Sequence, residues 1–170
     1  MKKLLAVVLI SWFSTSALFS QTKTENAFPD PKTVFAKSYD YVNDFEKILT
    51  TEQIATLTNS LKAFEKKHLY KIILVSTSSI KPYPSLPDYA LELDKYMAAD
   101  PKLDPTILIV ISKEIRQIQV QSIELIRYKL NNNDTLSIIT TYAMPEFKKG
   151  DYYKGLEITT EQIMNKLKTY

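Results

Sequence analysis

The chain has 170 residues, with 22 basic and 19 acidic side chains, two glycines, one histidine and no cysteine. Without cysteine there are no disulfides, thiolate zinc sites or cysteine nucleophiles, and with two glycines no phosphate-cradling loop or dinucleotide fingerprint can be written. Lys and Glu are interspersed along the chain rather than gathered in a basic stripe, which argues against nucleic acid as a partner.

Met1-Lys2-Lys3, an apolar stretch over 4–13 and small residues around Ser16, Ala17 and Ser20 follow the three-part plan of a secretory signal. The stretch is shorter than the ~20 residues of a membrane-spanning helix, so residues 1–20 are expected to be cleaved near Ser20-Gln21. The expected product is periplasmic or secreted, with no membrane-spanning segment in the mature chain. Loss of Lys2 and Lys3 leaves 20 of the 22 basic side chains against 19 acids. Residues 21–38 are polar and carry Pro29 and Pro31, which predicts an extended lead-in before a single domain over 39–170.

Tyr39, Tyr41, Val42 and Phe45 form the first apolar segment, and Thr50 with Gln53 spells a capping box for a helix over 51–68. Ile54, Leu57, Leu61 and Phe64 recur there at helical spacing, and His68 ends the helix beside lysines, where cations suit the helix terminus. Ile72-Ile73-Leu74-Val75 predicts a central strand covered on both faces. After a loop with Pro82 and Pro84, Ser85 caps a helix carrying Pro87 in its first turn and Tyr89, Leu93, Tyr96 and Met97 as its buried stripe. Residues 107–111 are a second fully apolar strand, and the alternation of Ile118, Val120 and Ser122 predicts a third, antiparallel to it. The Asn131-Asn132-Asn133-Asp134 loop leads into a helix with Leu136, Ile139, Ala143 and Phe147 inward, which Pro145 stops or kinks. Beyond Gly150-Asp151 a last helix buries Leu156, Thr159 or Thr160, Ile163 and Leu167. The alternation predicts a three-layer α/β/α sandwich with a mixed, mostly parallel sheet of about four strands.

The placed elements carry further patterns: Tyr41-Val42-Asn43-Asp44, then Ile48-Leu49-Thr50 with Glu52-Gln53, the helix residues 86–93, Asp104 ahead of the strand at 107–111, and Met144-Pro145, Phe147, Gly150-Asp151-Tyr152 and Gly155-Leu156. In these the chain resembles the TPM domain family, which includes thylakoid lumen phosphatase-like and photosystem repair proteins and many envelope proteins. The resemblance spans residues 41–167, and its ending is the most specific part. Two stretches depart from the family pattern. Asp104-Pro105-Thr106 stands where the family has Asp-Asn-Gly, and residues 122–127 replace a glycine-rich turn, so both places lose backbone freedom.

The resemblance implies loops at strand ends that hold an ion or an anionic substrate. Asp44 and Asp104 stand at matching positions, and two carboxylates within reach of one another would suit a hard cation such as calcium, with Asn43, Asn132 and backbone carbonyls completing the shell. Each Asp taken singly is better explained by a turn, since Asp caps and opens turns through its own side chain. Glu124 and Arg127 occupy the place of the glycine turn, either as a replacement polar contact or as an exposed ion pair. Eleven tyrosines suit a binding surface or half-buried packing with wet hydroxyls. Two functions follow: a non-enzymatic binding or assembly module for a protein or membrane-complex partner, or a metal-assisted phosphatase acting on phosphoesters with Asp44 and Asp104 holding the ion.

Overall fold

The computed structural model describes residues 30–168, so the expected secretory signal and the first part of the expected lead-in lie outside the described residues. Strands β1 (Val42–Asp44), β2 (Ile72–Ser76), β3 (Ile107–Ser112) and β4 (Gln117–Ser122) form one sheet in that order. β1, β2 and β3 are parallel, and β4 returns antiparallel to β3 after a turn at 113–116. Helices α1 (Pro31–Val34), α2 (Thr51–His68), α3 (Leu86–Ala98), α4 (Asn132–Ile138), α5 (Met144–Lys149) and α6 (Tyr152–Lys168) surround it.

Every residue of β2 and β3 is buried, because successive side chains feed two separate cores. Ile72, Leu74, Ile107, Ile109 and Ile111 pack with Leu57, Leu61 and Phe64 of α2 and with Leu156, Ile163 and Leu167 of α6. Ile73, Val75, Leu108 and Val110 pack on the other face against Leu86, Tyr89, Leu93 and Met97 of α3. This is the three-layer α/β/α sandwich with a four-stranded mixed sheet. The caps are the ones spelled by the sequence: Thr50 and Gln53 close a reciprocal box on α2, and the Ser85 hydroxyl accepts from Asp88 N.

The connections from β1 to β2 and from β2 to β3 step the same way across the sheet, yet α2 covers one face and α3 the other. The two crossovers are therefore of opposite hand, and one of them runs against the strong preference for right-handed βαβ units. As a result, the chain leaves adjacent strand ends toward opposite faces.

Three expectations change. The lead-in is not extended over its described part: Asp30 caps a helical turn with Pro31 at its start, a position that suits proline. Phe35, 1% exposed, then stacks among Tyr83, Tyr89 and Tyr96, so the folded unit begins before residue 39. In the helical run after residue 131, Leu136 is exposed and Ile138 is buried in its place. Residues Ile139–Ala143 are π-helical, with Met144 N–H donating to Ile139 O five residues back, so a stripe counted at 3.6 residues per turn slips out of phase. That wide turn lies ahead of Pro145, whose ring in a regular helix would meet the Thr141 carbonyl; Pro145 neither stops the chain nor ends the helix, and α5 continues to Lys149.

Candidate functional site

In open α/β sheets ligands settle at the carboxyl ends of parallel strands, where neighbouring connections part to opposite faces. Here that place is the crevice between the ends of β1 and β2, where Asp44 lies beside Ser76 in register. The Asp44 carboxylate closes its own loop. Oδ1 accepts from Ile48 N (3.1 Å) and the Ser76 hydroxyl (2.5 Å), and Oδ2 accepts from Leu49 N (2.8 Å). Ser76 Oγ in turn accepts from Glu46 N at 3.0 Å. The Glu46 carboxylate crosses to the β3–β4 turn and accepts from Lys113 N and Glu114 N, both at 2.8 Å. Two acids thus lock the three strand ends together by capping backbone amides.

Asp104 stands at the other end of the sheet. It precedes the amino end of β3, is exposed, and its amide bonds to Asp100 O at 3.0 Å. Ile107 and Ile111, which pairs with Ser76 beside Asp44, are four residues apart on β3, or ~13 Å at 3.3 Å per residue. Asp44 and Asp104 therefore are not brought together, and the shared ion site expected of them has no geometry. Asp104 instead faces Asp94 of α3, whose carboxyl is pushed above its usual range first by burial and then by the Asp104 charge. Asn43 is buried and spends its amide on Asp40 O (2.6 Å) and Leu74 O (3.2 Å), with its carbonyl oxygen taking Asp40 N (2.8 Å). Asn132 is exposed in the first turn of α4, where the capping side chain is that of Asn131. Glu124 and Arg127 form an exposed ion pair at 2.9 Å, also at the amino-end pole. Among the described residues, no group of three or more His, Asp or Glu side chains is arranged to hold a metal ion.

Beside the crevice an open groove of about 610 Å³ runs between the start of β4 and α5. Its apolar wall is Ile111, Ile118, Met144, Phe147 and Tyr152, and its cations are Arg116, Lys148 and Lys149. Lys149 is paired with Glu146 at 2.7 Å, whereas Arg116 and Lys148 have no ion-pair partner among the described residues. Phe147 stacks on Tyr152 with ring centres 5.5 Å apart, and Gly155 makes room for it: a Cβ there would lie 2.2 Å from Phe147 Cε1. Arg116 and Tyr152 also border a second, more polar lobe with Glu46, Ser78 and Lys113, so groove and crevice are continuous.

The sequence pattern of the TPM domain matches residues 42–166. The chain belongs to the TPM domain family. The TPM fold recurs in the N-terminal domain of a protein from P. gingivalis, with a TM-score of 0.69 at 22% identity over 82% of this chain and 92% of that one. It recurs in the BA42 protein of the psychrophilic bacterium Bizionia argentinensis, with a TM-score of 0.59 at 20% identity over 72% and 83%. The N-terminal domain of the cg2496 protein of Corynebacterium glutamicum gives 0.55 at 13% identity over 74% and 78%. No curated protein sequence matches the chain.

Within this TPM domain the groove residues Arg116, Met144, Lys148 and Tyr152 escaped the sequence reading as a site, as did Glu46. A signal was present for part of them. Phe147, Gly150, Tyr152 and Gly155 belong to the most specific stretch of the family resemblance, and three of these four line the groove while Gly155 backs it. Glu46 carried no signal, because its partners are backbone amides 67 and 68 residues away.

Proposed function

We propose that this TPM domain is an exported, non-enzymatic binding or assembly module, and that it takes a protein segment in the groove beside the crevice. The carrying observation is the state of Asp44, the one candidate acid at the carboxyl ends of the strands. Three donors already occupy its oxygens, so it serves loop closure, and the open surface next to it is an apolar wall rimmed by Arg116 and Lys148. Such a surface suits an apolar side chain flanked by acidic residues, since desolvated aliphatic and aromatic contacts supply affinity and the cations supply orientation.

The decisive assay is hydrolysis of a generic phosphoester by the purified protein with and without calcium or magnesium. No turnover above a buffer blank is expected. Metal-dependent turnover that disappears in Asp44→Asn would replace this reading with the metal-assisted phosphatase. Export is tested by the intact mass of protein recovered from the cell envelope, which should lack about twenty N-terminal residues; a detergent-extracted species retaining Met1 would contradict it.

A further inference from the structure

The opposite pole, at the amino ends of the strands, carries a surface that the groove does not use. Leu69 ends α2 in the left-handed conformation (φ 62°) and is 84% exposed, a combination unfavourable both for the backbone of an aliphatic residue and for its side chain. Leu125 and Tyr128, in the turn after β4, are 77% and 73% exposed. Single exposed apolar residues are ordinary, but these are gathered. Lys129 Nζ lies 5.6 Å from the Tyr70 ring centre and 5.7 Å from that of Tyr128, tying the end of α2 to the turn after β4.

Cations ring this apolar point. Lys66 and Lys67 are exposed in the last turn of α2, and Lys168 reaches over the Phe64 ring at 5.9 Å. The His68 imidazole, stacked on Phe64, registers the crowding: it is held below its ordinary pKa by desolvation first, then by the charges of Lys67, Lys168 and Lys129. Of the acids at this pole, Glu124 is paired with Arg127 and Glu65 with Lys71 at 3.6 Å, while exposed Asp104 has no ion pair among the described residues and leaves the lysines in excess.

Protruding leucines and a tyrosine inside a ring of lysines fit one chemistry better than another. Cores of protein interfaces are depleted in lysine, whereas at a bilayer surface lysines meet lipid phosphates while leucine and tyrosine enter the headgroup layer. We propose that this pole docks on an anionic lipid bilayer, with Leu69, Leu125 and Tyr128 entering the headgroup region and Lys66, Lys67 and Lys168 on the phosphates. Among the described residues no helix is long and apolar enough to cross a membrane. The contact is independent of what the groove binds.

The test is flotation of the protein with phosphatidylcholine vesicles that contain or lack phosphatidylglycerol. Residues 35–167 supply every core contact described above, so a chain starting at Gln21, free of the apolar leader, keeps the fold. Binding only to the anionic vesicles is expected. It should fall by about tenfold or more in Lys66→Glu with Lys67→Glu and in Leu125→Ser with Tyr128→Ser, while Lys32→Glu with Lys95→Glu, a matched charge change on another face, leaves it intact. Thermal melts of all three should match the parent within a few degrees, since every altered side chain is exposed. No preference for anionic vesicles would overturn the proposal. So would binding that falls equally in the Lys32 and Lys95 variant. A concentration-dependent dimer lost in the Leu125 and Tyr128 variant, without vesicle binding, would assign the surface to a second copy of the chain and likewise overturn it.

Discussion

Asp44→Asn separates a loop-closing carboxylate from an ion ligand. The carboxylate accepts three hydrogen bonds over its two oxygens, and an asparagine offers one oxygen while turning an NH2 toward donors on the other side. Keeping Oδ1 on Ile48 N and Ser76 loses the Leu49 N bond at 2.8 Å and sets donor against donor. Hydrogen bonds to charged groups contribute roughly 1.5–3 kcal/mol, and the half-buried loop places the loss in the lower part of that range, about 2 kcal/mol. For a domain of this size that corresponds to roughly 5–10 °C in melting temperature. Denaturant melts followed by far-ultraviolet circular dichroism, with and without calcium, should show the loss and no calcium response in either protein. Asp104→Asn, at an exposed side chain, should move stability by less than about 0.5 kcal/mol. An Asp44→Asn domain as stable as the parent would refute the loop-closure argument. A calcium-dependent rise in melting temperature, abolished in that variant, would refute the whole reading of the crevice.

Gly155→Ala should destabilise the domain by about 1–2 kcal/mol despite the better helix propensity of alanine, because its Cβ meets Phe147; in a Phe147→Ala background the same change should stabilise by up to about 1 kcal/mol, and melts of the four proteins show whether the sign flips. Leu61→Ala and Ile109→Ala, at residues 1% and 0% exposed in the same core, should each cost about 2–5 kcal/mol in denaturant melts. Asp94 has a raised folded-state pKa, so its ionisation opposes folding: the unfavourable contribution is present at neutral pH and disappears as pH falls below the ordinary Asp range. Asp94→Asn should therefore raise the melting temperature at pH 7, with the gain shrinking on acidification, which a pH series of thermal melts would record.

The fold was legible because its signals are local. The apolar runs of β2 and β3, the Thr50 box and the Ser85 cap each specify an element from neighbouring residues, and alternation of elements supplies the layers. The misplaced stripe of α4 came from a π-helical turn, whose five-residue step leaves no mark in a 3.6-residue count. Site residues were harder for a different reason. Asp44 and Asp104 both mark strand ends, but Asp44 closes its strand and Asp104 precedes its own, and in a parallel sheet those positions are opposite ends. Glu46 works through backbone amides, which have no sequence identity to recognise. Phe35 was hidden behind two prolines that suggested an open lead-in, although proline is well suited to the start of a helical turn.

The sheet is also a partition. Its two faces feed cores that share no side chain, one under α2 and α6 and the other under α3. The loop after β1 sends Ile48 and Leu49 into the first and Phe45 into the second, and Glu46 ties it to the β3–β4 turn, so a change at this lip is felt on both sides of the sheet. The partition thus holds for the buried cores but not at the crevice, where the Asp44, Ser76 and Glu46 bonds join the lips and rebuilding one disturbs the other.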